Sequence, residues 1–269
     1  MLTYPNIDPV IFSFGPLQVR WYGLMYILGF MAAYLLVKYQ ASRVQWKMLP
    51  AQLDNLNLAL IVGVILGGRL GYVLFYNPSY YLQHPLEVFA TWQGGMSFHG
   101  GCIGVLVSGA LFCRRHKINF WKAADLYVVT VPIGLGLGRI GNFMNAELYG
   151  RVTEVPWGML FPGGGPLPRH PSQLYEVLLE GVLLFTLLWA LKARPWQRKG
   201  SGWWPHGSML ALFLILYGIF RFLVEFVREP DPQLGQLLAG MTMGQLLSLA
   251  MLASGILLWL VRKKAAGAS

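Results

Sequence analysis

The residues best suited to chemistry are charged side chains set inside apolar sequence. Tyr217, Arg221 and Glu225 recur every four residues, with Arg228 a turn further on, so they share one face of a helix. A guanidinium on such a face suits phosphate, because its planar fork donates two parallel hydrogen bonds. The same spacing also fits an Arg221–Glu225 ion pair that only stabilises the helix. A second arginine, Arg139, stands in GLGLGRIGNFMNAELYGR, residues 134–151, where Gly134, Gly136, Gly138 and Gly141 strip side chains from around it. That permits close helix approach or an unwound turn lining a cavity. Asn142 and Asn145 add amides there, and Glu147 a carboxylate. Arg69 lies among Gly63, Gly67 and Gly71, a spacing that small-xxx-small helix packing explains equally well. His99, in GGMSFHGG at 94–101, titrates near neutrality, and its glycine neighbours leave room for a substrate beside the ring.

The elements that hold these residues follow from composition. Of 269 residues, 55% are hydrophobic and 12% charged. A soluble domain carries roughly 25% charged residues. Apolar runs of about 20 residues are what a bilayer core requires. The expected fold is an all-α integral membrane protein, a single polytopic domain of seven transmembrane helices. The spans are read at about 21–40, 54–76, 96–113, 124–144, 173–192, 207–227 and 240–261. Residues 1–19 contain no Lys or Arg, so the positive start of a signal peptide is missing. Cys102 and Cys113 are too far apart along one helix for a disulfide and read as buried, unreactive thiols.

The formal charge is +10, and its placement matters more than its size. Of the 21 Lys and Arg, fourteen fall on one side: Lys38, Arg43 and Lys47; Arg114, Arg115, Lys117 and Lys122; Lys192, Arg194, Arg198 and Lys199; and Arg262, Lys263 and Lys264. The other side has Arg20, Arg151, Arg169 and Arg228, and Arg69, Arg139 and Arg221 lie within spans. The positive-inside rule then sets the N-terminus outside and the C-terminus in the cytoplasm. The basic charge is an orientation signal and does not indicate nucleic-acid binding. Two outer loops are long. Residues 77–95 carry Tyr80, Tyr81 and Trp92, suited to the headgroup zone, and 145–172, rich in Gly and Pro, reads as an irregular surface flap.

A charge deep in a bilayer is costly, so each buried arginine should face protein or water and have a partner. Counted from the span ends, Arg69, Arg139 and Arg221 all lie in the outer half of the membrane, as do His99, Asn142, Glu147, Glu176 and Glu225. The absence of HExxH, GxSxG and Walker motifs leaves zinc proteolysis, serine hydrolysis and nucleotide-driven transport unsupported. An anionic-lipid transporter is the alternative reading, although alternating access normally places its site near the midplane.

These residues carry a resemblance. RWYGL at 20–24, GGMSFHGG at 94–101, GRIGNFMNAELYGR at 138–151, RHPSQLYE at 169–176 and RFLVEFVREPD at 221–231 resemble the bacterial phosphatidylglycerol–prolipoprotein diacylglyceryl transferases over nearly the whole chain. The resemblance implies an enzyme of the bacterial inner membrane that works toward the periplasm. It would transfer the diacylglyceryl group of phosphatidylglycerol to the lipobox cysteine of a prolipoprotein signal peptide, forming a thioether and releasing glycerol phosphate, with no metal or organic cofactor. It carries over Tyr22, His99, Arg139, Asn142, Glu147, Gly150, Arg221 and Glu225 as functional residues, beside Tyr217 on the Arg221 face. On this reading His99 or a carboxylate takes the thiol proton. Arg139 and Arg221 bind the phosphate, Asn142 and Tyr22 orient headgroup hydroxyls, and Glu147 and Glu225 hold the arginines.

Overall fold

A computed structural model describes residues 2–15, 17–44, 50–91, 94–197, 204–229 and 240–267. Lys47, Trp92, Arg198, Lys199, Pro230 and Asp231 fall outside them. Helices occupy all seven places where spans are expected. They are α1 (Trp21–Arg43), α2 (Pro50–Phe75), α4 (Phe98–Arg115), the pair α5 (Phe120–Val128) and α6 (Val131–Met144), a helix over Ser172–Trp196, α9 (Ser208–Val224) and α10 (Met243–Gly267). Among the described residues, four are long and apolar enough to cross a membrane, namely α1, α2, Ser172–Trp196 and α10, and a fifth if α5 and α6 form one broken span. In α1 only 17% of the most apolar window is buried within the protein, which suits a surface solvated by lipid.

Two helices depart from straight rods for local reasons. The expected span 124–144 bends by 40° between α5 and α6. Pro132 stands in the first turn of α6, where its missing N–H leaves no bond unmade. The helix from Ser172 begins as α7 (Ser172–Glu176), widens into a π-helical stretch over Val177–Leu183 and resumes as α8 (Leu184–Leu191). Such widened turns often occur at functional sites.

The chain divides into two compact units, 1–44 with 124–269, and 45–123. In the second, α2 and α4 meet along a glycine seam. Gly63, Gly67 and Gly71 face Gly100 and Gly104 so closely that an added Cβ would strike the opposing backbone. This is the small-residue packing foreseen for α2. It also uses Gly100 for helix contact, so that neighbour of His99 is not room left for a substrate. Between α2 and α4 lie a short helix, α3 (Pro78–Gln83), and a 3-10 turn over Pro85–Phe89. Cys113 is buried, as expected, but Cys102 is exposed on α4, a face of the helix that sequence reading put inside.

In the first unit a hairpin of β2 (Val10–Phe14) and β3 (Leu17–Arg20) precedes α1. Strand β1 (Leu2–Thr3) pairs in parallel with β4 (Met159–Leu160), inside the 145–172 segment. That segment is irregular, as expected, and several bonds fasten it. Arg169 donates to the carbonyls of Gly164 at 2.8 Å and Gly150 at 3.1 Å, and it pairs with Glu229. Gln173 and Ser172 donate to the carbonyls of Glu147 and Leu148.

Candidate functional site

Three helices of the first unit bring charge together. Helix α6 contributes Arg139, α7 contributes Glu176, and α9 contributes Arg221 with Glu225 at its C-terminal end. The approach depends on a missing side chain at one crossing. Gly136 of α6 meets Gly181 of the π-helical stretch, where a Cβ on Gly136 would come within 3.1 Å of the opposite Cα. Gly141 leaves space for the ring of Tyr22 from α1. Gly136 and Gly141 thus serve close approach, an added Cβ on Gly134 or Gly138 would meet nothing within 4 Å, and α6 stays wound through Arg139.

Glu176 is the centre of the cluster. It is buried, and its two oxygens serve different arginines: Arg139 Nε lies 2.7 Å from Oε2, and Arg221 Nη1 lies 2.7 Å from Oε1. Arg221 also reaches Glu225 through Nη2 at 2.9 Å, the ion pair expected from four-residue spacing. Glu225 is held from the other side by the Thr242 hydroxyl, which donates to Oε1 at 2.9 Å. Thr242 in turn caps α10. Its Oγ1 accepts from the Gln245 N–H, while its own N–H donates to Gln245 Oε1, a reciprocal capping box.

Beside this core runs a polar chain. Arg139 Nη1 donates to Asn142 Oδ1 at 3.4 Å, and Asn142 donates to Glu147 Oε1 at 2.8 Å. Asn145 reaches the same Glu147 oxygen at 3.3 Å. Tyr22 shares a hydrogen bond with Tyr26 at 3.0 Å. Tyr217 stacks on Phe213 on the Arg221 face. Gly150 has a backbone bridge to Arg228, and a Cβ there would strike the Val227 carbonyl and His170. Arg228 faces the cluster electrostatically, but its side chain makes no hydrogen bond or ion pair among the described residues.

The structure brings Arg139, Asn142, Glu147, Arg221 and Glu225 into one bonded network, with Tyr22, Tyr217 and Gly150 around it. Arg69 and His99 belong to the second unit. Arg69 is buried and satisfied by main chain, donating to the carbonyls of Glu87 at 2.6 Å, Val88 at 2.7 Å and Gly94 at 2.7 Å. Its work is to tie the 3-10 turn at Pro85–Phe89 to Gly94 and Gly95, through a partner set made of carbonyls that no charge pattern displays. His99 is exposed on the first turn of α4, whose N-cap Ser97 accepts from Gly100 N–H at 3.2 Å. Sequence reading treated Glu176 as one more polar residue at the arginine level and passed over Glu180 and Thr242. The available signal was Glu176-xxx-Glu180, two carboxylates a turn apart in an otherwise apolar run.

Chemically, guanidiniums gathered by shared carboxylates are held in fixed positions, with Arg139 still partly exposed. The description that matches residues 9–261 is that of the prolipoprotein diacylglyceryl transferase family. Proteins named phosphatidylglycerol–prolipoprotein diacylglyceryl transferase are similar along almost their full length. One from Desulfotalea psychrophila is 62% identical over 97% of this chain and 95% of its own. Another from Geobacter sulfurreducens is 55% identical over 95% of each chain. One from Pseudomonas aeruginosa is 51% identical over 99% of this chain and 98% of its own.

Proposed function

The chain belongs to the prolipoprotein diacylglyceryl transferase family, and from that premise we propose that its arginine cluster is the site where the phosphate of phosphatidylglycerol is held during transfer. The enzyme is a transferase that moves the diacylglyceryl group of phosphatidylglycerol to a prolipoprotein, the first step of lipoprotein maturation. One observation carries the phosphate-clamp reading: arginines from two different helices converge on a single buried carboxylate, Glu176.

The acceptor is the lipobox cysteine thiol of the signal peptide. Its thiolate attacks the glyceryl carbon joined to phosphate. A carbon–sulfur bond forms, the carbon–oxygen bond breaks, and glycerol phosphate leaves with added negative charge. Donors already aimed at that charge lower the barrier most. Arg139 supports this role, because Nε is engaged with Glu176 while Nη2 has no partner among the described residues. Arg221, Arg228 and Asn142 add positive charge and an amide donor. Tyr22 and Tyr217 line the lipid headgroup, and Gly150 keeps the backbone of Arg228 close. Glu147 and Glu225 hold Asn142 and Arg221. The proton of the thiol passes to His99 or to a carboxylate.

The protein acts as one polytopic domain of the inner membrane, with seven spans, the N-terminus periplasmic and the C-terminus cytoplasmic. The asymmetry of Lys and Arg supports that orientation. The site then faces the periplasmic leaflet, with 145–172 as its flap. Acyl chains stay in lipid while the headgroup enters. The test is thioether formation from phosphatidylglycerol and a lipobox peptide by purified protein in detergent. Arg139→Ala and Arg221→Ala are expected to abolish it while the protein still folds. Normal turnover in either variant refutes the clamp. His99→Gln is expected to lose most activity; activity retained with an unchanged pH profile shows that His99 is not the base and favours a carboxylate or the arginine environment.

A further inference from the structure

Glu180 is a buried carboxylate that the transfer mechanism does not yet use. It is fully buried, and neither of its oxygens accepts a hydrogen bond among the described residues. Arg221 Nη1 stands 4.0 Å from Oε1, outside hydrogen-bond reach. Glu180 lies one turn from Glu176 within the π-helical stretch. The charged and titratable groups that face it are Glu176 on its own helix, Arg139 on α6, Tyr217 and Arg221 on α9, and Arg228 just beyond α9.

Charge balance gives this carboxyl a task. Arg139, Arg221 and Arg228 face Glu176, Glu180 and Glu225, and Glu147 joins them through Asn142, so the neighbourhood has no excess positive charge when all are ionised. A phosphodiester monoanion entering it adds one negative charge in a poorly solvated place. Uncompensated buried charge is costly, and the ionised group with least support gives way first. Glu176 is held by two arginines, and Glu225 by Arg221 and Thr242. Glu180 has no bond of that kind.

We infer that Glu180 is the proton-accepting carboxyl of the site: phosphatidylglycerol enters together with one proton from water, Glu180 takes it up, and the proton returns to water when the phosphate leaves. This rests on the phosphate-clamp reading. Glu180 touches no reacting atom. It is a positioning residue that acts through Arg221, because a neutral Glu180 no longer competes with the phosphate for that guanidinium.

The experiment measures phosphatidylglycerol binding to the full chain in phosphatidylcholine nanodiscs as pH is raised. Wild-type affinity is expected to fall by up to about tenfold per pH unit, the limiting slope for one linked proton. Glu180→Gln, neutral at every pH, is expected to show a flat profile near the wild-type acid-side affinity. A wild-type slope in Glu180→Gln, or a flat profile in the wild type, overturns the inference. Calorimetry of the wild type in two buffers of different ionisation heat gives the same answer if the variant fails to fold, since binding without proton uptake also overturns it. Arg221→Ala separates the two readings. If it binds phosphatidylglycerol like the wild type, the clamp itself fails. If it loses binding while Glu180→Gln keeps the slope, only the role of Glu180 fails.

Discussion

Removing Glu176 gives the sharpest test of how the cluster works. Its carboxylate meets Arg139 and Arg221 at 2.7 Å each, and it is 1% exposed. Glu176→Ala leaves both guanidiniums without their shared partner. Breaking one buried pair costs about 3–5 kcal/mol. The Arg139 side chain keeps 20% of its exposure, so water screens part of its loss. Arg221 keeps Glu225 at 2.9 Å. The expected destabilisation is therefore near the single-pair figure and not twice it. Activity should fall further than stability, because a displacement of about 1 Å at a positioned group costs on the order of 10²-fold in rate. Glu176→Gln sharpens the test. Its amide oxygen can accept from one arginine, but its NH2 group opposes the other. It should lose less stability than Glu176→Ala and nearly as much activity. Thermal unfolding in detergent and thioether formation on a lipobox peptide measure the two effects. Glu176→Gln with turnover close to wild type would show that shared coordination of the arginines is not what organises the site.

Three further outcomes follow from the same geometry. Gly150→Ala should destabilise by about 1–3 kcal/mol through overpacking against the Val227 carbonyl and His170, and should impair activity through the Arg228 bridge; an unchanged Tm refutes this. Asp125 is buried and caps α9 from a different helix, accepting from Gly207 N–H at 2.8 Å and Met209 N–H at 3.0 Å. Asp125→Ala should cost about 1–3 kcal/mol and Asp125→Asn less, and equal melting of the two variants would show that the cap contributes little. Burial lowers the His170 imidazole below its ordinary value, so the unfolded chain takes up a proton first as pH falls through about 6.5. Thermal stability should then drop across that range, levelling off below the folded value. His170→Gln should remove this part of the drop, and an unaltered curve of Tm against pH would refute it.

Much of the site is legible in sequence because it is local. Arg221 and Glu225 share a helix at four-residue spacing, so their 2.9 Å pair needs only a helix to form. Asn142 and Glu147 sit at the end of α6, close enough in sequence to bond across one turn. The four helices long and apolar enough to cross a membrane, and a fifth if α5 and α6 form one span, follow from apolar length, since an apolar run has few alternatives in lipid. Even the glycine seam of α2 is visible as a period, although the period does not name its partner on α4.

What the sequence could not determine is pairing across elements. Glu176 lies 37 residues from Arg139 and 45 from Arg221 in sequence. Only the crossing at Gly136 and Gly181 brings it between them. Arg69 shares its residue type and its glycine setting with Arg139, yet its partners are carbonyls of a turn, and every chain segment carries carbonyls alike. The 40° bend before α6 and the widening at Val177–Leu183 are likewise outcomes of packing. Side-chain type and spacing determined that buried arginines must find partners, because an unpaired charge in a bilayer is too costly to keep. Which carboxylate answers which arginine depended on how the helices cross, and that was decided only in three dimensions.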